Sequence, residues 1–271
     1  MQAMARSQGR FDGKVAFVTG GGTGIGLACA QAIVDEGGSV MLAGRREGVL
    51  RVAAQKLGSR AAWVVCDVAS DGAVEHAVSA AVDQLGPLRL AVNSAGAGSV
   101  GSVLNGTSDD FSRTIDTNLV GAFRAMRAEA RAMKAAGGGS IVNVSSIAGV
   151  LTHRWMSAYC ASKAGLNMLT RCAADDLGEH GIRVNAVMPS FVPTEIWSVM
   201  VSSPEIHAEY LRRIPLGRLG TVEDVAALTA FLLSDASGWI TGQCMGVDGG
   251  HTIRQGPDMV PIYRQFLPEE R

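Results

Sequence analysis

The sequence predicts an α/β fold: one domain, residues 1–271, with a doubly wound parallel sheet of about seven strands and helices on both faces. Short apolar runs alternate with segments of helical length, which is typical of repeated βα units. These runs are continuously apolar, as expected for strands buried on both faces of a parallel sheet. No Pro-, Gly- or Ser-rich linker divides the chain.

The elements follow one another in strict alternation. The apolar runs predict strands over 14–19, 39–43, 61–66, 88–93, 140–144, 183–187 and 244–247. The intervening segments predict helices over 24–36, 47–57, 71–85, 109–135, 157–179 and 222–234.

Charge and composition exclude several kinds of partner. The 24 basic and 25 acidic residues leave a net charge of -1, which argues against nucleic acid as a partner. No apolar run is long enough to cross a bilayer, and residues 1–13 lack the apolar stretch of a signal peptide. The cysteines are odd in number and widely spaced, so we expect reduced thiols, a cytoplasmic protein and no metal site. They are Cys29, Cys66, Cys160, Cys172 and Cys244.

A glycine-rich turn follows the first strand and leads directly into a helix. Glycines allow a tight turn and a close approach of the backbone to a pyrophosphate, which the N–H groups at the helix N-terminus attract. The order of strand, glycines and helix therefore predicts a nucleotide site. Its residues are Gly20, Gly22, Thr23, Gly24, Ile25 and Gly26.

The glycine spacing is that of the pattern TGxxxGxG, and here the sequence resembles the short-chain dehydrogenase/reductase family. The resemblance covers nearly the whole chain and implies a Rossmann-type fold, a nicotinamide cofactor and a homotetramer or homodimer. Further matching motifs are Asn93-Ser94-Ala95-Gly96, Asn118, Ser145-Ser146, Tyr159 to Lys163 and Pro189 to Thr194. Two residues depart from the family pattern: Ser94 replaces an Asn, and Ser190 replaces the Gly after Pro189.

Tyr159 and Lys163 are four residues apart on one predicted helix and therefore share a face. A nearby ammonium is expected to lower the tyrosine pKa from its usual value of about 10. The resemblance implies that Tyr159 is the acid/base and that Lys163 also binds the nicotinamide ribose. It implies that Ser146 holds the substrate oxygen and that Asn118 holds water in a proton path, although an Asn on a helix also bonds locally.

The residues after the second strand predict NADP(H) rather than NAD(H). Gly44 stands where NAD-using relatives carry an acidic residue, and Arg45 and Arg46 follow, so either can pair with a 2′-phosphate. The alternative is that both arginines are surface residues that open a helix. Asp67 and Val68 are expected to border the adenine, and Thr194 to reach the nicotinamide carboxamide. Asn93, Ala95, Gly96, Tyr159, Lys163, Pro189 and Val192 complete the predicted cofactor contacts.

Two late segments fall outside the βα alternation. Residues 190–220 mix apolar and polar side chains, including Trp197 and Tyr210, and are predicted to form a substrate lid. Residues 251–271 form a C-terminal tail with three prolines, which is either disordered or packed against a partner subunit. His153 is expected to be a polar wall residue of the pocket, and Cys160 a packing residue.

The predicted reaction is hydride transfer between nicotinamide and a carbonyl or secondary alcohol. Ser146, Trp155, Tyr159 and Trp197 are the predicted substrate contacts. The leading substrate is a hydrophobic 3-oxoacyl thioester, for two reasons. The pocket candidates are mostly apolar, and an anionic carrier could dock on a basic stripe and a further arginine pair. The apolar candidates are Val150, Leu151, Trp155, Phe191, Val192, Trp197 and Met200, and the basic residues are Arg124, Arg127, Arg131, Lys134, Arg212 and Arg213.

Three alternatives remain open. The first is a dehydrogenase of steroids or cyclic alcohols, and the second a reductase of the C=C bond of dienoyl thioesters. The third is a cofactor-binding sensor without catalysis, which the intact Ser146, Tyr159 and Lys163 disfavour.

Overall fold

The computed structural model describes residues 9–197, 202–264 and 266. Seven parallel strands form one sheet in the order β3-β2-β1-β4-β5-β6-β7, which confirms the predicted fold class. The strands are β1 Val15–Thr19, β2 Ser39–Gly44, β3 Ala61–Val65, β4 Leu88–Asn93, β5 Gly139–Val144, β6 Ile182–Pro189 and β7 Cys244–Val247. β6 runs further than predicted because its last residue, Pro189, pairs with Val247.

The helices are α1 Gly24–Asp35, α2 Glu47–Leu57, α3 Asp71–Leu85, α4 Ser108–Ile115, α5 Gly121–Ala135, α6 Ser157–Gly178, α7 Pro204–Arg213, α8 Val222–Leu233 and α9 Val260–Tyr263. The single helix expected over 109–135 is interrupted by a π-helical turn at Asp116–Val120. α7, within 190–220, and α9, in the tail, were not predicted as helices. None of the described helices is long and apolar enough to cross a membrane.

The core lies on both faces of the sheet. Phe17 and Val18 are adjacent on β1 and both fully buried, because successive strand side chains point to opposite faces. Val18 packs with side chains from α1, α2 and α8, such as Ile33 and Leu232. Phe17 packs on the other side with side chains from α3, α5 and α6, such as Met133. Burial on both faces explains why the strands are continuously apolar.

The strand order reverses direction between β1 and β4. These neighbours place Thr19 beside Asn93, so the turn after β1 and the segment after β4 lie side by side. The Thr19 hydroxyl accepts a hydrogen bond from the Ala95 N–H at 3.2 Å. Such a switch point opens a crevice at the carboxyl ends of the strands, where α/β proteins bind their ligands.

Candidate active site

A cavity of about 480 Å³ lies at the carboxyl ends of the strands. Eighteen of the predicted site residues line it: Gly20, Gly22, Thr23, Gly24, Ile25, Arg45, Arg46, Asp67, Val68, Ala95, Gly96, Ser146, Tyr159, Lys163, Pro189, Val192, Thr194 and Trp197. Four predicted residues, Gly26, Asn93, Asn118 and Trp155, are not among its lining residues.

The glycine turn is shaped to hold a pyrophosphate. Gly20 and Gly24 adopt φ of +65° and +54°, a region that side chains disfavour. Thr23 is the N-cap of α1 and makes no side-chain cap, so the first N–H groups of the helix have no side-chain acceptor there. An anionic group at this helix N-terminus would supply one. The turn therefore fits the pyrophosphate of a dinucleotide.

Gly26 allows α1 to pack closely against the preceding turn and does not line the cavity. A Cβ placed on it would lie 2.4 Å from the carbonyl oxygen of Gly20, closer than side chains can approach. The absent side chain lets α1 lie against the turn that precedes it. This glycine therefore permits helix–strand packing, and its predicted contact with the cofactor stays a prediction.

Ser146 and Tyr159 meet inside the cavity. Ser146 follows the end of β5, and its hydroxyl accepts a hydrogen bond from the Ala148 N–H at 3.1 Å. It lies close enough to the side chain of Tyr159, near the start of α6, to lower the pKa of that tyrosine. Ser145 borders the cavity too, but its buried hydroxyl donates to the Lys163 carbonyl at 3.3 Å. Of the two serines, Ser146 is thus the partner of the tyrosine.

Burial is the main influence on the pKa values of Tyr159 and Lys163. The Lys163 Nζ lies 5.7 Å from the centre of the Tyr159 ring and donates to the Val144 carbonyl at 2.9 Å. Burial raises the pKa of Tyr159 to about 12, although Ser146 opposes the rise. Burial lowers the pKa of Lys163 to about 8. The expected lowering of the tyrosine pKa is therefore not seen in the chain alone, where burial is the largest influence.

The Asn118 side chain hydrogen-bonds to the backbone of the segment after β4. The π-helical turn presents its amide, whose Oδ1 accepts from the Ala97 N–H at 2.7 Å. Its Nδ2 donates to the Ala97 carbonyl at 3.0 Å and to the Ser162 hydroxyl at 3.1 Å. Both amide hydrogens thus have protein acceptors, and the side chain does not line the cavity. Only the second lone pair of Oδ1 remains for a water in the predicted proton path.

Asn93 is buried inside the fold and is not among the residues that line the cavity, and its cofactor contact stays a prediction. Its Nδ2 donates to Glu129 Oε2 at 3.0 Å and to Asn143 Oδ1 at 3.1 Å. Within the described chain, Asn93 Oδ1 and Glu129 Oε1 have no hydrogen-bond partner. Burial raises the pKa of Glu129 to about 8.

The buried Glu129 was missed by the reading of the sequence, although α5 carries a signal for it. Positions 122, 126, 129 and 133 recur at helical spacing on one face, and the other three hold alanine or methionine. All four are buried in the structure. An acidic residue on the apolar face of an amphipathic helix indicates a buried carboxyl group.

Trp155 does not reach the cavity. Its φ is +64°, its side chain is 58% exposed, and the Arg154 guanidinium lies 5.4 Å from the ring centre. The left-handed backbone leaves the ring exposed to solvent, and the predicted substrate contact stays a prediction. Val150 is likewise exposed, Leu151 does not line the cavity, and Met200 lies outside the described residues.

The substrate end of the cavity has polar as well as apolar walls. Phe191, Val192 and Trp197 are the apolar candidates that line it, and the Trp197 ring meets the Tyr159 ring edge-on at 5.5 Å. His153 and Tyr210 line it as well, and so does Ser190. The mostly apolar pocket stays a prediction, and these three side chains add hydrogen-bonding groups to it.

The basic stripe on α5 is already paired. Arg124 lies 3.0 Å from Asp116, Arg127 lies 2.5 Å from Asp71, and Arg131 lies 2.9 Å from Glu75. Arg212 and Arg213 both contact Glu209. These carboxylates offset most of the charge that an acidic carrier would need. Lys134 has no carboxylate partner among the described residues, and Arg212 and Arg213 share one glutamate.

The two arginines after β2 differ in their surroundings. Arg46 Nη1 and Nη2 donate to the Glu195 carboxylate at 2.7 and 2.8 Å. Arg45 is exposed and has no ion pair with any residue in the described ranges. Across the same ranges, no group of three His, Cys, Asp or Glu side chains could hold a metal ion.

Comparisons with known proteins identify related chains. The family model described as Enoyl-(Acyl carrier protein) reductase, of the short-chain type, matches residues 20–252. The chain is 38% identical to galactitol 2-dehydrogenase (L-tagatose-forming) of Cereibacter sphaeroides over 90% of this chain and 97% of that protein. It is 34% identical to the 3-oxoacyl-[acyl-carrier-protein] reductase of Chlamydia muridarum over 88% and 96%.

A solved structure shares the whole architecture. The short-chain type dehydrogenase/reductase from Mycobacterium ulcerans superposes with a TM-score of 0.88 at 37% identity, covering 94% of this chain and 95% of that one. Its agreement with the seven-stranded sheet, together with the family match over most of the sequence, fixes the assignment. The chain belongs to the short-chain dehydrogenase/reductase family and is an oxidoreductase that uses a nicotinamide cofactor to interconvert a secondary alcohol and a carbonyl.

Proposed function

We propose that the protein is an NADP(H)-preferring dehydrogenase of a small secondary alcohol, acting also as reductase of the matching ketone. The observation that carries the proposal is that Ser146, Tyr159 and Lys163 line one cavity, with the Lys163 Nζ 5.7 Å from the centre of the Tyr159 ring. A proton donor and a second hydroxyl beside one another can hold and protonate the same substrate oxygen.

Each of the three side chains has a distinct role. Ser146 donates to the substrate oxygen and holds it beside the Tyr159 hydroxyl. Tyr159 takes a proton from that oxygen during oxidation and returns it during reduction. The Lys163 ammonium stabilises the phenolate that forms and hydrogen-bonds to the nicotinamide ribose. The nicotinamide, when bound, supplies the hydride chemistry.

The proposed preference for NADP(H) rests on charge at the end of β2. Gly44, Arg45 and Arg46 line the cavity there. Arg45 has no ion pair with a described residue and can take a 2′-phosphate, whereas Arg46 would have to leave Glu195 to do so. Asp67 and Val68 line the same end and are proposed to border the adenine. Thr194, Pro189 and Val192 are proposed to contact the nicotinamide, together with Ala95 and Gly96.

The proposed substrate class follows from the size of the cavity. One cavity of about 480 Å³ has to hold both the cofactor and the substrate, and we infer that the substrate is a small alcohol. A 3-oxoacyl thioester is the second candidate, and the similarity to the 3-oxoacyl reductase of Chlamydia muridarum favours it. The pairing of the α5 arginines counts against carrier docking.

Three further expectations remain proposals. Residues 190–220 act as a substrate lid, since seven cavity-lining residues come from this segment. The protein forms a homodimer or homotetramer, and the apolar side chains of α9, which are about half exposed, suit a subunit contact. A cytoplasmic location fits the five free cysteines.

A coupled absorbance assay tests the proposal. Purified enzyme is given NADP⁺ or NAD⁺ with butan-2-ol, cyclohexanol, a ketosteroid alcohol or galactitol, and NADPH with acetoacetyl-CoA. We expect oxidation of a small alcohol with higher kcat/KM for NADP⁺. Turnover of acetoacetyl-CoA alone would establish the second candidate, and cofactor binding without any turnover would establish a sensor.

A further inference from the structure

The structure assigns Ser190, fixed by the buried His251 and joined by His153 and Tyr210, as a subsite for a second hydroxyl group of the substrate. The substrate class that follows is a vicinal diol or hydroxyketone, rather than a simple alcohol. This inference deepens the proposed function and rests on it. Ser190 is also one of the two positions where the sequence departs from the family pattern, which has glycine there.

The Ser190 side chain is held in place by a hydrogen bond to the buried His251. Its Oγ lies 2.8 Å from His251 Nδ1, and His251 is only 4% exposed. The backbone N–H of His251 donates to the Asp248 carbonyl at 3.0 Å, and the His251 ring meets the Tyr210 ring edge-on at 5.6 Å. With one bond committed to a buried ring, the Ser190 hydroxyl retains hydrogen-bonding capacity for a group in the cavity that it lines.

Tyr210 brings a second hydroxyl to the same wall. Its ring stacks on Phe191 with centres 4.6 Å apart and planes 19° apart. Its hydroxyl makes no hydrogen bond with the residues that the structure describes, although the side chain lines the cavity. Tyr210 is also close enough to Tyr159 to raise its pKa electrostatically. The free hydroxyl therefore lies near the proposed acid/base.

His153 adds a third polar group, from the loop after β5. Its Nδ1 lies 3.4 Å from the Leu151 carbonyl, which leaves Nε2 for a ligand. Burial lowers the pKa of His153, and the charge of Arg213 lowers it further. The neutral imidazole suits a hydroxyl group, which both donates and accepts hydrogen bonds.

The charge of this wall favours a hydroxyl over a carboxylate. Ser190 and Tyr210 are neutral, burial lowers the pKa of both His153 and His251, and the nearby Arg213 contacts Glu209. An apolar substrate would cover three polar groups without giving them partners, which disfavours binding. A substrate with a hydroxyl next to the reacting carbon satisfies them.

Two alcohols that differ by one hydroxyl test the subsite. We expect the kcat/KM of the enzyme with NADP⁺ to be at least about tenfold higher for butane-2,3-diol than for butan-2-ol. Ser190→Ala and Tyr210→Phe should each lower this ratio several-fold, mainly through KM for the diol. Ser190→Thr keeps the hydroxyl and should retain part of the preference. Ser112→Ala, exposed on α4, is the control.

A binding measurement tests the hydroxyl subsite separately from the proposed dehydrogenase activity. In the presence of NADP⁺, butane-2,3-diol should raise the melting temperature of the enzyme more than butan-2-ol does, and Ser190→Ala should remove the difference. Equal kcat/KM for the two alcohols, or an equal loss for both in Ser190→Ala, would overturn the subsite. Diol-specific stabilisation without turnover would uphold the subsite and refute the proposed function instead. Neither turnover nor diol-specific stabilisation would refute both.

Discussion

Arg46 and Glu195 form a two-pronged ion pair, with nitrogen–oxygen distances of 2.7 and 2.8 Å, between residues 149 positions apart in sequence. The contact joins the loop after β2 to the segment after β6, and both residues line the cavity. Each side chain is more than half exposed, so solvent weakens the pair. A 2′-phosphate of the cofactor would compete with Glu195 for the same guanidinium.

This competition predicts the coenzyme preference of three variants. Arg45→Ala and Arg46→Ala should each raise KM for NADP⁺ by about tenfold, with a much smaller effect on NAD⁺. Glu195→Gln frees Arg46 and should lower KM for NADP⁺. Arg51→Ala, exposed on α2 away from the cavity, serves as control. An unchanged ratio of NADP⁺ to NAD⁺ efficiency in all three variants would contradict the role of the arginines.

Removing the Tyr159 hydroxyl should abolish most turnover. Tyr159→Phe is expected to lower kcat by about 10²–10⁴-fold, the usual contribution of general acid–base catalysis, while cofactor binding persists. Titration of NADPH fluorescence measures the binding, and absorbance measures the rate. Tyr263→Phe, about half exposed on α9, should leave kcat near that of the unmodified enzyme. Near-native turnover by Tyr159→Phe would remove the tyrosine from the mechanism.

The fold could be predicted because its signals are local. Each strand is a continuous apolar run, and Gly20 to Gly26 mark the first βα turn by their order alone. The tyrosine and lysine of α6 were placed correctly for the same reason, since four residues on a helix fix a shared face. Within 190–220, α7 escaped prediction because it has no buried residue and so shows no apolar stripe.

The contacts between distant segments could not be predicted. Asp71 and Glu75 on α3 pair with Arg127 and Arg131 on α5, which turns an apparent docking stripe into an internal ion-pair network. The spacing of four residues on both helices is complementary, but only their packing shows that they meet. The left-handed backbone of Trp155 has no sequence signal either, since tryptophan rarely adopts it.

Two glycines near helix starts should respond in opposite ways to the same change. Gly26→Ala places its Cβ 2.4 Å from the Gly20 carbonyl and should lower the free energy of unfolding by about 1–3 kcal/mol or more. Gly48→Ala on α2 meets no atom within 4 Å and should raise it by about 0.4–1 kcal/mol. Urea unfolding midpoints measure both. A harmless Gly26→Ala would disprove the close packing of α1 on the turn.

The proposed lid predicts a spectroscopic signal from Trp197. Its ring touches Tyr159 edge-on, so ligands in the cavity should change its fluorescence when NADP⁺ and alcohol are added together. Trp197→Phe should lose this change, whereas Trp239→Phe, fully exposed near β7, should keep it. If Trp197→Phe responds like the unmodified enzyme, residues 190–220 do not close over the ligand.

Glu129 predicts a fall in stability as the pH rises. The unfolded chain releases this proton near pH 4.5 and the folded chain near pH 8, so between these values the folded state holds the additional proton and loses stability with increasing pH. Glu129→Gln keeps an acceptor for Asn93 and removes the titration. Below pH 4.5 the variant should be as stable as the unmodified protein. Above pH 8 its free energy of unfolding should be higher by up to about 5 kcal/mol, since each pKa unit is worth about 1.4 kcal/mol.

Melting temperatures across this range measure the difference in stability, with Glu179→Gln, exposed after α6, as control. A constant gap between Glu129→Gln and the unmodified protein at all pH values would show that Glu129 does not titrate in this window.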